Sequence, residues 1–405
     1  MEAILDLHIH SRYSRACSKN LVPEVLATTA VTRGIDILAT GDFTHPKWLE
    51  MLKGELVESG DGIFTLKNKA APTRFLLGTE IASIKKHKDK TRRVHHLVFA
   101  PNFAAVDRFN AALRARGCNL NADGRPIVGL TSKELLEIAL DADPAMMLVP
   151  AHAWTPWFGI FGSKGGYNTL EEAFEELTPH IKAIETGLSS DPLMNWQVGQ
   201  LDNIALISNS DAHSPQKLGR EANIFSFKDE NAITYAEIKN ILASNDPKRF
   251  LSTIEFYPEE GKYHYDGHAD CKFSCAPAET KKYAGKCPKC GKLMTVGVMS
   301  RVADLSTRSE DEAKKLSRVP FESLVPLSEI IASTLGVGVA SKKVVAMYDK
   351  LIKKVGNEFY ILRKADLTKV SAASSKEIAD ALNRVRTRNI YIKPGYDGIF
   401  GVVKV

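Results

Sequence analysis

Leu5-Asp6-Leu7-His8-Ile9-His10 decides how the rest of the chain reads. Side chains alternate along a strand with period two, so His8 and His10 leave one strand end on the same side. Two imidazoles placed together suit zinc, manganese or iron, which take neutral nitrogen ligands. Alone, the pair would fit a solvated polar face equally well. Comparable strand ends recur, however. They are Gly41-Asp42-Phe43-Thr44-His45, Gly78-Thr79-Glu80, Val94-His95-His96-Leu97, Val149-Pro150-Ala151-His152, Ile184-Glu185-Thr186-Gly187 and Ser208-Asn209-Ser210-Asp211-Ala212-His213. Each follows a short apolar segment, and helix-like stretches separate several of them. That is the pattern of a parallel β/α barrel, with its chemistry where strands give way to loops. Repeated His, Asp and Glu at those ends predict a multinuclear metal site.

A second cluster reads Cys271-x3-Cys275-x11-Cys287-x2-Cys290. Cys287-Pro288-Lys289-Cys290-Gly291 has the form of a zinc knuckle, whose tight turn points two thiolates at one ion. One structural zinc on Cys271, Cys275, Cys287 and Cys290 is expected, with His264 and His268 close enough to be alternative ligands. Disulfides are the weaker reading, since nothing resembling a secretory leader opens the sequence. Cys17 and Cys118 remain as free thiols.

The chain has 405 residues, 44% hydrophobic and 25% charged, which fits two or three domains with sizeable cores. No apolar run approaches the ~20 residues needed to span a bilayer, so a cytoplasmic protein without a membrane partner is expected. Charge is uneven. Residues 301–405 hold 19 Lys and Arg against 12 Asp and Glu, whereas the rest holds 35 against 36. An acid-balanced, metal-rich front beside a basic tail fits a polyanionic partner, although a merely solvated basic surface fits too. The composition changes at Pro258 and again beyond Met294, and the expected units are 1–257, 258–299 and 300–405.

Three stretches are candidate contacts for that partner. Leu327–Leu335, Gly336-Val337-Gly338, and a segment opening with Lys342 and Lys343 read as helix, glycine turn, helix. Such a hairpin can present backbone amides and lysines to a DNA phosphate; a plain inter-helix turn explains the same residues. Directly after His152, Trp157, Phe158, Phe161, Lys164 and Tyr167 stand among glycines, suited to stacking on a base and meeting a phosphate, or to packing as a lid. The basic run Lys85–Arg93 would draw a phosphodiester towards a site it borders.

The His-x-His opening, the Gly-x-Glu, the single-His segments and Ser210-Asp211-Ala212-His213 resemble the polymerase-and-histidinol-phosphatase (PHP) superfamily of metal-dependent phosphoesterases. The resemblance implies a distorted seven-stranded β/α barrel over about 1–257 with two or three divalent metals, zinc, manganese or magnesium. By it, His8, His10, Glu80 and Asp211 share one metal and Glu80, His96 and His152 a second, His96 being preferred to His95. His213 helps with a third. Arg15 and Phe43 stand where many relatives carry metal-binding residues, so Asp42, His45 or Cys17 would have to substitute there.

The local wording Asp6–Ser14, Gly41–Pro46 and Glu185–Asp191, with the four-cysteine module and the basic, mainly helical C-terminal region, is similar to the endonuclease Q family. That resemblance implies DNA repair by metal-assisted hydrolysis on the 5′ side of deaminated bases (hypoxanthine, uracil, xanthine) or abasic sites, with the damaged nucleotide everted. Asp211, Glu80 and His213 would be the catalytic residues, His213 or His45 moving a proton. A small-molecule phosphomonoester phosphatase is the competing expectation, and a non-catalytic DNA-binding scaffold a third. A replication or repair clamp as partner is not readable from the residues.

Overall fold

The computed structural model describes residues 1–88 and 90–405; Asp89, inside the basic run, lies outside the described residues. Among the strands of the front half, a ring is formed by β1 (Glu2–Asp6), β2 (Ile37–Ala39), β3 (Arg74–His87), β4 (Lys90–Ala100), β5 (Met147–Pro150), β6 (Ala183–Glu185) and β7 (Ala205–Ile207). β1, β2 and β3 run parallel, as do β6 and β7. The Ala153 amide donates to the Glu185 carbonyl at 2.9 Å, joining the chain after β5 to β6. A parallel bridge between Ile9 and Ala212, beyond the ends of β1 and β7, closes the ring.

The expectation of a parallel barrel fails at β4, which is antiparallel to both β3 and β5. The cause is the short link. Antiparallel strands need only a turn, whereas a parallel return needs a helical crossover for which the interval between Glu80 and His95 has no room. The basic run therefore forms facing hairpin arms, with Lys85 opposite Arg92 and His87 opposite Lys90.

Because these strands are covered on both faces, they read as continuous apolar runs, and their alternation shows only in packing. Leu76 of β3 and Leu97 and Phe99 of β4 join Leu5, Leu7, Val149, Ala183 and Ile207 in an inner core. Phe75, Leu77 and Ile81, with Val94 and Val98, pack outward in the larger core that the helices cover.

The later segments interleave with this barrel. Strand Ala222–Ser226 pairs with β1 and with Phe250–Glu255, and Phe321–Ser323, well beyond the cysteines, adds in parallel to Phe250–Glu255. Helices Leu327–Leu335, Lys342–Lys354, Glu358–Arg363, Leu367–Ala373 and Lys376–Arg386 make the C-terminal region mainly helical. The closing hairpin Tyr391–Lys393/Val402–Lys404 returns to the cysteine module, where the Gly395 amide donates to Glu259 O at 2.8 Å and the Ala269 amide to Asp397 at 2.6 Å.

One buried ion pair ties the helical region to the barrel. Arg33, in the last turn of helix Pro23–Arg33, pairs with Glu358, which also accepts from the Leu327 amide at 2.9 Å and Tyr348 Oη at 2.7 Å. Removing one partner strands a buried charge, which typically costs about 3–5 kcal/mol. Glu358→Ala and Arg33→Ala are each expected to destabilise by that order in denaturant unfolding. The double variant should lose clearly less than the sum, the non-additivity of direct contact.

Candidate metal centre

β3 carries the residue around which the site is built. Glu80 shares the inward face of Leu76, and its carboxylate is fully enclosed. Its Oε2 lies 3.5 Å from His8 Nε2 and 3.3 Å from His10 Nε2, and those nitrogens lie 3.5 and 3.0 Å from Asp211 Oδ1. Its Oε1 lies 2.6 Å from His95 Nδ1 and 3.1 Å from His152 Nε2, which are themselves 3.1 Å apart. Two ligand groups thus meet on one carboxylate: His8, His10, Glu80 and Asp211, and Glu80, His95 and His152.

These donors fit cations. His8 Nε2 is buried with no hydrogen-bond partner. Burial holds the His95 imidazole down at about 4, so it presents a lone pair at neutral pH. Burial pushes the Asp211 carboxyl up, but His8 and His10 outweigh it and hold it below the usual carboxylate range.

His96 is not part of the site. It lies on the face of Val98, where Nε2 meets Ser132 Oγ at 3.0 Å and the ring abuts Phe174. Neighbours on a strand face opposite ways, and the one sharing the face of Leu97 and Phe99 is His95. Asp42 also departs from the expected ligand role. Its Oδ1 lies 3.2 Å from His10 Nδ1, and its Oδ2 accepts from the Ser11 amide, Ser11 Oγ and Ser14 Oγ at 2.7, 2.6 and 2.8 Å. It belongs to neither ligand group and orients His10 from behind. His45 stacks on Tyr13 at 4.4 Å and belongs to neither group. His213 borders the site, 4.5 Å from the His10 ring, but its Nδ1 is turned to Asp211 O at 2.9 Å.

Two contributors were not assigned from the sequence. Glu185 sits at 3.0 and 3.1 Å from His8 Nδ1 and accepts from Asn209 Nδ2 and the His152 amide at 2.8 and 2.7 Å. Its strand-end motif was a usable signal. Arg125, whose Nη1 lies 3.1 Å from Glu80 Oε2, comes from a loop with no recognisable pattern. The backbone is strained where these residues emerge. Asp42, His152 and Asp211 have φ of 48°, 30° and 47°, a region costly for residues other than glycine and tolerated where surrounding structure enforces it. Gly187, φ 62°, allows the close approach of His152, since a Cβ there would stand 2.6 Å from that of His152.

The aromatic segment divides. Phe161 is buried against Trp154, and Tyr167 is buried with its hydroxyl 3.0 Å from His87 Nδ1, so neither is free to stack on a substrate. Phe158 lies 4.3 Å from the His95 ring, Trp157 is exposed and touches Tyr263, and Lys164 is exposed. Lys342 and Lys343 are exposed at the start of their helix, capped by Ser341.

In the cysteine module, Cys271, Cys287 and Cys290 converge with His268, not with Cys275. Cys275 lies opposite Asp266 in the hairpin, where its Sγ meets Thr280 Oγ1 at 3.3 Å and packs with Met294. The group has the composition Cys3His, which suits a closed structural zinc.

Residues 326–389 match the MJ0043 C-terminal domain family. Methanocaldococcus jannaschii MJ0043 is 33% identical over 256 residues, 62% of this chain but only 31% of that protein, whereas Bacillus subtilis YqxK is 28% identical over 98% of both. The lesion-specific endonuclease PfuEndoQ from Pyrococcus furiosus superposes with a TM-score of 0.87 at 31% identity, over 100% of this chain and 96% of that one. The chain belongs to the endonuclease Q family. A second family structure, endonuclease Q in complex with a 27-mer duplex substrate bearing an abasic lesion at the active site, gives 0.86 at 31% identity, over 100% and 97%.

Variants separate the neighbouring residues. His95→Ala is expected to lower metal content by elemental analysis, while His96→Ala keeps the metals and loses about 1–3 kcal/mol of stability from the orphaned Ser132 and the vacated volume. In the module, His268→Ala should lose zinc and Cys275→Ser retain it.

Proposed function

We propose that this member of the endonuclease Q family is a DNA-repair endonuclease that hydrolyses the phosphodiester 5′ to deaminated bases (hypoxanthine, uracil, xanthine) or abasic sites. The observation that carries the reading is the buried Glu80 shared by two ligand groups, within a fold that matches a lesion-specific endonuclease over its whole length. Among the described residues, no helix is long and apolar enough to cross a membrane; a cytoplasmic location is part of the proposal.

His8, His10, Glu80 and Asp211, and Glu80, His95 and His152, would hold divalent zinc, manganese or magnesium, which would supply Lewis-acid charge and a water of lowered pKa. The chain's own residues do the rest. Asp42 and Glu185 fix the His10 and His8 rings through their second nitrogens, so neither has to reorganise during reaction. His213, half-exposed beside Asp211 and lowered by burial, is neutral near pH 7 and placed to carry a proton. Phe158 and Trp157 offer aromatic surface at the mouth to an everted nucleotide. Extrusion is least expensive for a mismatched or missing base, which favours damaged positions. The β3–β4 hairpin, Lys164, Lys342 and Lys343 attract the phosphate backbone.

Metal-loaded protein is expected to cut labelled duplexes carrying uracil, hypoxanthine or an abasic site and to leave undamaged duplex and a simple phosphomonoester nearly untouched. Preference for the phosphomonoester would replace this reading with a small-molecule phosphatase. Asp211→Asn should abolish cutting while duplex binding persists; near-normal turnover would remove Asp211 from the centre. Replacing Lys342 and Lys343 by Gln should weaken binding to undamaged duplex. It should also make the slope of log K against log salt less steep by up to about 0.9 per lost phosphate contact.

A further inference from the structure

Arg125 is, among the described residues, the one Lys or Arg ion-paired with Glu80 or Asp211. Its side chain is 25% exposed while Glu80 is enclosed, so the guanidinium forms part of the open wall of the site. Its backbone is held firmly. Asp123 Oδ1 accepts from the Arg125 amide at 3.1 Å and from the Arg15 amide at 3.2 Å. The Gly124 amide donates to Tyr13 O at 3.0 Å, and Thr44 Oγ1 donates to Gly124 O at 3.3 Å. Gly124 lies so close to Asp42 and Ser14 that any Cβ there would collide with both. The loop is thus clamped to the same Asp42 that orients His10, with the arginine stem leading from it to Glu80.

We propose that Arg125 is a catalytic residue whose guanidinium leaves Glu80 when metals bind and takes a non-bridging oxygen of the scissile phosphodiester. This rests on the function proposed above. Cations held by the ligand groups that share Glu80 would repel a guanidinium 3.1 Å from that carboxylate. The clamped backbone cannot retreat, so the head moves to its solvent side, where a substrate phosphate arrives. A planar fork of N–H donors matches two phosphate oxygens, and negative charge on those oxygens is what phosphoryl-transfer catalysis has to stabilise. Lysine, a single compact charge on a flexible stem, would reproduce this only in part.

The test uses the full chain loaded with metal, comparing wild type, Arg125→Ala, Arg125→Lys and Arg125→Gln, the last preserving the stem if the alanine variant folds poorly. Metal content and thermal midpoint should hold in all of them. Affinity for inorganic phosphate, measured by calorimetry, should fall about tenfold or more in the Ala and Gln variants. Turnover on an abasic duplex should drop by roughly 10²–10³, the loss typical of one transition-state donor, with a smaller change in KM. Arg125→Lys should recover part, and added guanidinium should restore part of the Ala activity. Loss of metal or stability with unchanged phosphate affinity overturns the proposal and makes Arg125 a structural counter-ion of Glu80. Should wild type cut no duplex, the endonuclease reading fails, and the phosphate-affinity comparison still decides for or against Arg125.

Discussion

A single enclosed carboxylate sets the terms for the front half of this molecule. An ionised glutamate withdrawn from water is strongly destabilising unless compensated, and Glu80 is compensated from every side. His8 and His10 approach one oxygen and His95 and His152 the other, with Arg125 alongside. Each of His8, His10 and His152 is anchored through its second nitrogen, by Glu185, Asp42 and Thr155. The centre is therefore two layers deep, and the outer layer is as polar and as buried as the inner.

That arrangement explains why strained backbone gathers at Asp42, His152 and Asp211. At these positions a left-handed residue delivers the side chain, His152 and Asp211 to the ligand groups and Asp42 to the far side of the His10 ring. The strain is held by neighbouring contacts, including the cross-ring bridge Ile9–Ala212 and the glycine at 187 that lets His152 sit close.

The barrel and most of the centre were legible because His and acidic residues at strand ends are chemically expensive and conspicuous. What escaped has several causes. Strand β4 is apolar on both faces, so Val94–Ala100 offers no alternation by which to choose between His95 and His96. Its direction could have been read from the link, since the interval between Glu80 and His95 is too short for a crossover helix. Asp42 looks like a ligand in one dimension, yet its carboxylate is taken by Ser11 and Ser14. In the cysteine module, spacing nominated Cys275, while the hairpin register carried it to Thr280 and left His268 beside the other three. Arg125 has no periodic or motif context and becomes visible only once Gly124 is seen against Asp42.

The strand Phe321–Ser323 has a consequence for how the molecule comes into being. It covers the edge of Phe250–Glu255, yet it is made only after the whole cysteine module has been translated. During synthesis, the barrel therefore emerges with a bare strand edge, its amides and carbonyls open to pairing with another nascent copy. The polar positions Ser252 and Thr253 on that edge, and quick folding of the intervening module around its own metal, would shorten the interval of exposure. A metal at the cysteine module would then influence the yield of folded protein through a step far from the Glu80 centre.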